Sequence, residues 1–383
     1  MPLLPHGAHA PGSVPRALDG HLMLQVKRVD PAPFDDVSPV DGGLVFCGLK
    51  AAENKAAVLR DRPFTGPVLI DPSAYEKHVA TPDRPFDTGE ASLMAADGLE
   101  EQLERQRMQG ATMAVTPTAL LSTGDLASLE AVAERALEIS GDDVLLSLPV
   151  DARWLRAPHH HDLISMLRQV PLPKALVLCA THDPLSTAEA AANLREVVSS
   201  VPGIGLLRSD LAALDAMVHG AGFASIGDSA SARHGPTPGR RGPGPRRRDP
   251  AVLLPRALSY HYGETIATAF DGAEAPLCPC GACLEWGAAN GSADGRRPLT
   301  TFTDAVDTHG AHRHNHAVWS ALWEWIMRAA DEADAKERWQ KYCRRALTEI
   351  AGLNEAAGRP GRTFGPSAAL RVWAGREPRR GRL

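Results

Sequence analysis

Aromatic residues are scarce in this 383-residue chain, at 5%. A large core must therefore come mainly from Ala, Val and Leu, within a hydrophobic fraction of 44%. Six cysteines are too few for a disulfide scaffold. No apolar run approaches the roughly 18 residues of a membrane span. Charge of one sign is also lacking: the net value of −5 gives no overall attraction to nucleic acid, so such binding needs a local basic patch. No Walker loop or G-x-G-x-x-G turn follows an apolar run, so no nucleotide-dependent step is expected. Residues 1–20 carry four prolines and lack the basic start and apolar stretch of a secretory signal. They are expected to form an irregular N-terminal arm, and the chain is expected to be cytoplasmic.

What is present is a rhythm. Short, continuously apolar runs occur at 22–26, 43–47, 67–71, 111–115, 143–149, 175–180, 203–207 and 222–227. Runs of this length without alternation suit parallel strands covered on both faces. Stretches of helical composition at 91–109, 123–140, 183–200 and 209–220 separate the later runs. The alternation predicts a (β/α)8 TIM barrel over residues 21–270, with an open doubly wound sheet as the competing arrangement. The length fits a barrel of about 250 residues plus an appendage. Residues 235–250 are almost entirely Gly, Pro and Arg, with five arginines in 240–248. They predict a mobile basic loop, either a phosphate clamp or a solvated insertion. A zinc-binding and helical subdomain is expected over 271–360, with one long helix near 316–356, and a basic tail over 361–383.

The strongest chemical signal is LCPCGACLEW, which gives Cys278-x-Cys280-x₂-Cys283. Thiolates this close can converge on one tetrahedral ion, with a fourth ligand from elsewhere. The segment DTHGAHRHNHAVW offers His309, His312, His314 and His316. Three cysteines and one histidine would close the coordination shell, so the expected cofactor is structural Zn2+ rather than a catalytic ion. Cys47, Cys179 and Cys343 read as buried thiols. The triple His159–His161 reads as an exposed loop and helix start. Trp319 and Trp323, one helical turn apart, read as a packing face or the seam of a homodimer.

A C-x-C-x₂-C cluster, a distant His314-Asn315 pair opening an apolar helix, and a preceding barrel together resemble the tRNA-guanine transglycosylase superfamily. That superfamily includes the branch that places 7-deazaguanine bases in DNA. The resemblance covers roughly residues 65–330 and implies nucleic acid, tRNA or DNA, as partner and a 7-deazaguanine base as the incoming group. His314 matches the family's His-Asn context, while His309 matches its spacing from the last cysteine. Upstream, VLID71 followed by Pro72-Ser73-Ala74-Tyr75-Glu76 puts Asp71 on the family's acid/base aspartate and Tyr75 on its base-stacking aromatic. Near the last strand, GFASIGDSASARHG puts Ser225 on the nucleophile by ungapped alignment, with Asp228 three positions later. Arg233 falls near a phosphate-holding arginine. The family's other base-reading aspartate falls near Thr116 to Thr118, where no carboxylate stands.

Breaking an N-glycosidic bond needs a carboxylate at the sugar carbon and an acid to move protons. On the resemblance, Asp228 is the expected nucleophile, Asp71 the general acid/base, and Tyr75 the π-face for an unstacked base. The competing reading makes both aspartates turn or helix caps. Asp151, His182 and Asp183 also follow strands, as pocket residues or caps. The expected function is therefore a zinc-containing transglycosylase that exchanges guanine for a 7-deazaguanine in tRNA or DNA through a covalent sugar–Asp228 intermediate. The alternatives are a nucleic-acid-binding subunit without activity and a barrel enzyme of unrelated small-molecule chemistry.

Overall fold

The structure, a computed structural model, describes residues 14–29, 32–60, 62–88, 95–139, 141–239, 247–358 and 363–376. The chain divides into two compact units: Met1–Val29 with Val37–Pro243, and Asp30–Asp36 with Gly244–Leu383.

The first unit is a closed barrel of eight parallel strands. These are β1 (Leu22–Val26), β2 (Leu44–Cys47), β3 (Val68–Asp71), β4 (Met113–Val115), β5 (Val144–Asp151), β6 (Lys174–Cys179), β7 (Gly205–Ser209) and β8 (Phe223–Gly227). Each pairs with the next, and β8 closes on β1 through Leu22↔Ala224 and Leu24↔Ile226. All eight apolar runs are therefore strands, and the open-sheet alternative is excluded. The crossover helices are α1 (Ala51–Leu59), α2 (Ala95–Met108), α3 (Leu126–Leu137), α4 (His159–Gln169), α5 (Ala188–Ser200) and α6 (Ala212–Val218). Side-chain caps start two of them: Asp125 accepts from Ser128 N and Thr187 from Ala190 N, satisfying amides that a helix start leaves unpaired.

Inward-pointing residues fill the barrel. Met23, Val45, Leu69, Met113, Val115, Leu145, Val177, Leu207 and Phe223 belong to one buried cluster. Large and small residues interlock in it. A Cβ on Gly205 would lie 2.3 Å from the Phe223 ring, so any side chain at that strand position would have to displace the ring.

The second unit opens with a hairpin of β9 (Ala251–Leu254) and β10 (Ser259–Tyr262), then α7 (Gly263–Ala269) and α8 (Gly281–Ala289). The hairpin and α7 were expected within the barrel span, but they belong to this unit. The expected long helix is two helices, α9 (Thr308–Met327) and α10 (Glu332–Ala356). Asp331 separates them by capping Asp334 N. The segment read as a basic tail contains α11 (Ala368–Trp373), whose Trp373 ring packs 5.6 Å from Trp339. Trp319 and Trp323 are buried, as are Cys47, Cys179 and Cys343. Residues 1–13 of the N-terminal arm, 240–246 of the basic loop, and 361–362 and 377–383 of the tail lie outside the described residues. Among the described residues, no helix is long and apolar enough to cross a membrane.

Candidate functional site

The candidate metal site is built within the second unit. Cys280 is the N-cap of α8 and Cys283 lies in its first turn, with Cys283 N donating to the Cys280 carbonyl at 3.0 Å. One helical turn thus brings these two sulfurs together. Cys278 approaches from the preceding extended segment, pinned where Leu277 bridges Pro298. His314 is fully buried on α9, and its Nδ1 lies 3.4 Å from Cys280 Sγ and 3.3 Å from Cys283 Sγ. The four ligand atoms lie within 4.8 Å of one another. His309 is exposed and outside this cluster, so geometry selects His314.

The pair His314-Asn315 has a physical reason. His314 Nε2 faces the Leu253 carbonyl at 2.8 Å, which fixes the ring with Nδ1 toward the sulfurs. Asn315 accepts from Leu253 N at 2.7 Å and donates to the Ala251 carbonyl at 2.8 Å. One residue thus orients the ligand and its neighbour knits α9 to β9. Hydrogen bonds from the adjacent thiols pull Cys280 well below its usual pKa, and the same crowding pushes Cys283 well above. The cluster can hold a metal ion, and a three-sulfur, one-nitrogen set is a closed structural donor set for zinc.

The barrel mouth is built within the first unit, and its centre is a residue that the sequence did not single out. A bulge in β7 puts Arg208 at φ +53° and takes its amide out of the strand ladder. That amide donates instead to Gln25 Oε1 at 2.6 Å and to Ser225 Oγ at 2.9 Å. Ser225 in turn donates to Gln25 Oε1 at 2.5 Å. Ser225 is therefore a fully buried interior residue that serves the bulge.

The Arg208 side chain, 0% exposed, spans the mouth. It pairs with Glu76 at 2.7 Å, donates to Tyr75 OH at 3.0 Å, and donates to the Ser231 carbonyl at 2.9 Å. Lys27 completes the charge pairing, 2.7 Å from Glu76. Burial opposes ionisation of Glu76, but Arg208 and Lys27 outweigh it and hold the carboxyl below its usual pKa.

Both oxygens of Asp71 are engaged. Oδ1 accepts from Ser73 N at 2.8 Å, and Oδ2 accepts from Tyr75 OH at 2.6 Å. Asp71 and Tyr75 are each 1% exposed. Burial raises the Asp71 pKa against these hydrogen bonds and Arg208. In this conformation Asp71 caps the turn that carries Tyr75, and the Tyr75 ring is enclosed.

Asp228 follows β8 and is nearly buried. Burial pushes its carboxyl up to about 6, against hydrogen bonds from Ser229 and the charge of Arg233. Arg233 turns onto the backbone, with contacts of 3.3 Å to the Gly227 carbonyl and 3.4 Å to that of Asp228. Thr116 accepts from Ser147 N at 3.0 Å, a link between β4 and β5. Asp151 accepts from Arg153 N and Asp183 from Leu185 N, so both cap turns. A cavity of about 340 Å³ lies at the ends of β5 and β6, lined by Asp151, Arg153, Arg156, His182, Asp183 and Thr237 among others.

No family model matches the chain, and no curated protein matches it.

Proposed function

We propose that this chain is a zinc-clasped barrel of the transglycosylase type that binds nucleic acid, tRNA or DNA, without exchanging a base itself, acting beside a catalytic partner. The resemblance supplies the nucleic-acid partner. The filled barrel mouth supports the absence of exchange, and it is the observation that carries the reading.

Exchange needs an ionised carboxylate at the sugar carbon, a proton donor, and a free aromatic face for the extruded base. The aligned nucleophile position holds Ser225, whose hydroxyl serves the β7 bulge. The aligned acid/base, Asp71, is capped on both oxygens. The Tyr75 ring belongs to the buried core cluster, with Arg208 over it 5.5 Å from the ring centroid. Moving Arg208 aside breaks its pair with Glu76, which keeps Lys27, and the hydrogen bonds to Tyr75 OH and the Ser231 carbonyl. At about 1 kcal/mol per hydrogen bond plus the shared pair, this costs about 2–3 kcal/mol before any core contact is lost. Stacking a base returns only about 1–3 kcal/mol, so stacking alone gives no net drive to open the mouth.

The test is incubation of the purified chain with labelled guanine and, separately, tRNA and duplex DNA. The expected result is no label in either polymer, with binding to one of them that weakens as salt rises. Label incorporated by the chain alone overturns the reading.

A second reading, exchange of guanine for a 7-deazaguanine by this chain, is favoured by one observation. Asp228 stands at the C-terminal end of a barrel strand, where barrel chemistry sits, and with its carboxyl pushed up to only about 6 it is still largely ionised at neutral pH, as a nucleophile must be. On that reading Asp228→Asn abolishes incorporation and leaves the zinc content intact.

A further inference from the structure

We infer that the barrel unit carries a second, exchangeable metal site, made by His160, His161 and Glu196, for a divalent transition-metal ion. His160 and His161 sit in the first turn of α4, and Glu196 projects from α5. Each imidazole faces a different oxygen of the one carboxylate: His160 Nε2 to Oε2 at 3.6 Å, and His161 Nδ1 to Oε1 at 3.6 Å. These are too long for hydrogen bonds, which close to about 2.7–3.2 Å. They suit donors arranged around an ion with bonds of about 2.0–2.2 Å. The three donor atoms lie within 4.8 Å of one another.

The bland alternative is a histidine–carboxylate ion pair. It accounts for one ring but not both. The two ring centroids lie 3.9 Å apart with a 37° tilt, and both rings converge on the one carboxylate, each at a different oxygen. A shared cation uses a lone pair from each ring and one carboxylate, and so accounts for both. Two imidazoles and one carboxylate suit Zn2+, Ni2+ or Cu2+. The His161 and Glu196 side chains are 65% and 46% exposed, so water can complete the shell and the ion can leave.

The affinity is limited by His160. Metal binding at Nε2 moves its ring proton to Nδ1, which is buried with no hydrogen-bond partner among the described residues. Lack of such an outer partner costs about 10–100-fold in affinity. The ion is therefore an exchangeable staple between α4 and α5, unlike the closed cysteine site.

The test uses the full chain with zinc in the cysteine cluster. Ni2+ is titrated by calorimetry, and Cu2+ is added for electron paramagnetic resonance. The expected result is one further ion per chain, two nitrogen ligands in the Cu2+ spectrum, and at least roughly tenfold weaker Ni2+ binding in His161→Ala and in Glu196→Gln. Both altered side chains are exposed, so the fold is kept, and retained zinc serves as the check. No Ni2+ uptake up to millimolar concentration, or equal affinity in both variants, overturns the site.

Discussion

The charge cluster at the barrel mouth makes an asymmetric prediction. Among the described residues, Glu76 has two cationic partners, Arg208 and Lys27, whereas Arg208 has one carboxylate at ion-pair distance, Glu76. Arg208→Met removes a cation, but Glu76 keeps Lys27. The loss is then a pair already shared, plus two hydrogen bonds to the neutral acceptors Tyr75 OH and Ser231 O. At about 1 kcal/mol per hydrogen bond, the expected cost is about 2–3 kcal/mol. Glu76→Gln instead leaves a guanidinium with 0% side-chain exposure without its anion. That is the costly way to break a buried pair, at about 3–5 kcal/mol. The double variant should cost less than the sum, because it strands only Lys27, which is 28% exposed.

The assay is urea unfolding read by hydrogen exchange of peptides from β3 and β7, so that the barrel is followed apart from the second unit. The acid limb gives a further check. Glu76 is held below its usual pKa, so its contribution is complete above the unfolded value of about 4.3 and fades as pH falls through the lowered one. The gap between Glu76→Gln and the parent chain should therefore shrink in acid. If Arg208→Met costs as much as Glu76→Gln, or neither differs from the parent chain, the cluster does not hold the mouth shut.

Two further outcomes follow. Asp228 has its carboxyl raised from 3.8 to about 6. Its ionisation therefore opposes folding by an amount that grows between these pH values and levels off above them, at most about 3 kcal/mol. Asp228→Asn should gain stability over the parent chain at pH 7 and show no gain below pH about 4; thermal melts across that window decide it, and a gain that persists in acid contradicts it. Asn315→Ala strands Leu253 N and the Ala251 carbonyl, which should cost about 2–4 kcal/mol and speed zinc loss to a chelator. Unchanged release would show that β9 does not orient His314.

The barrel was legible because buried parallel strands write themselves as continuous apolar runs, and each run from 22–26 to 222–227 is a strand. The helix break at Asp331 was less visible, since the cap that makes it lies within a stretch of good helix formers. The cysteine cluster was legible from spacing, but the choice between His309 and His314 needed the fold: only the buried ring turned by Leu253 faces the sulfurs. The mouth was hardest to read. Gln25, Glu76 and Arg208 are polar residues in or beside apolar runs, and their partners lie far along the chain. Arg208 bonds to Gln25 across 183 residues and to Tyr75 across 133. An arginine directly after the apolar run 203–207 was the available signal, and it marks the bulge in β7.

The proposed kinship with the transglycosylases, and with it the proposed nucleic-acid partner, depends first on the candidate metal site in the second unit. X-ray absorption at the zinc edge of the purified full chain tests this most directly. The account predicts one zinc per chain, with three sulfurs at about 2.3 Å and one nitrogen at about 2.0–2.1 Å, from Cys278, Cys280, Cys283 and His314. A chain purified without chelators that holds no zinc, or one whose zinc has only nitrogen and oxygen neighbours, contradicts it.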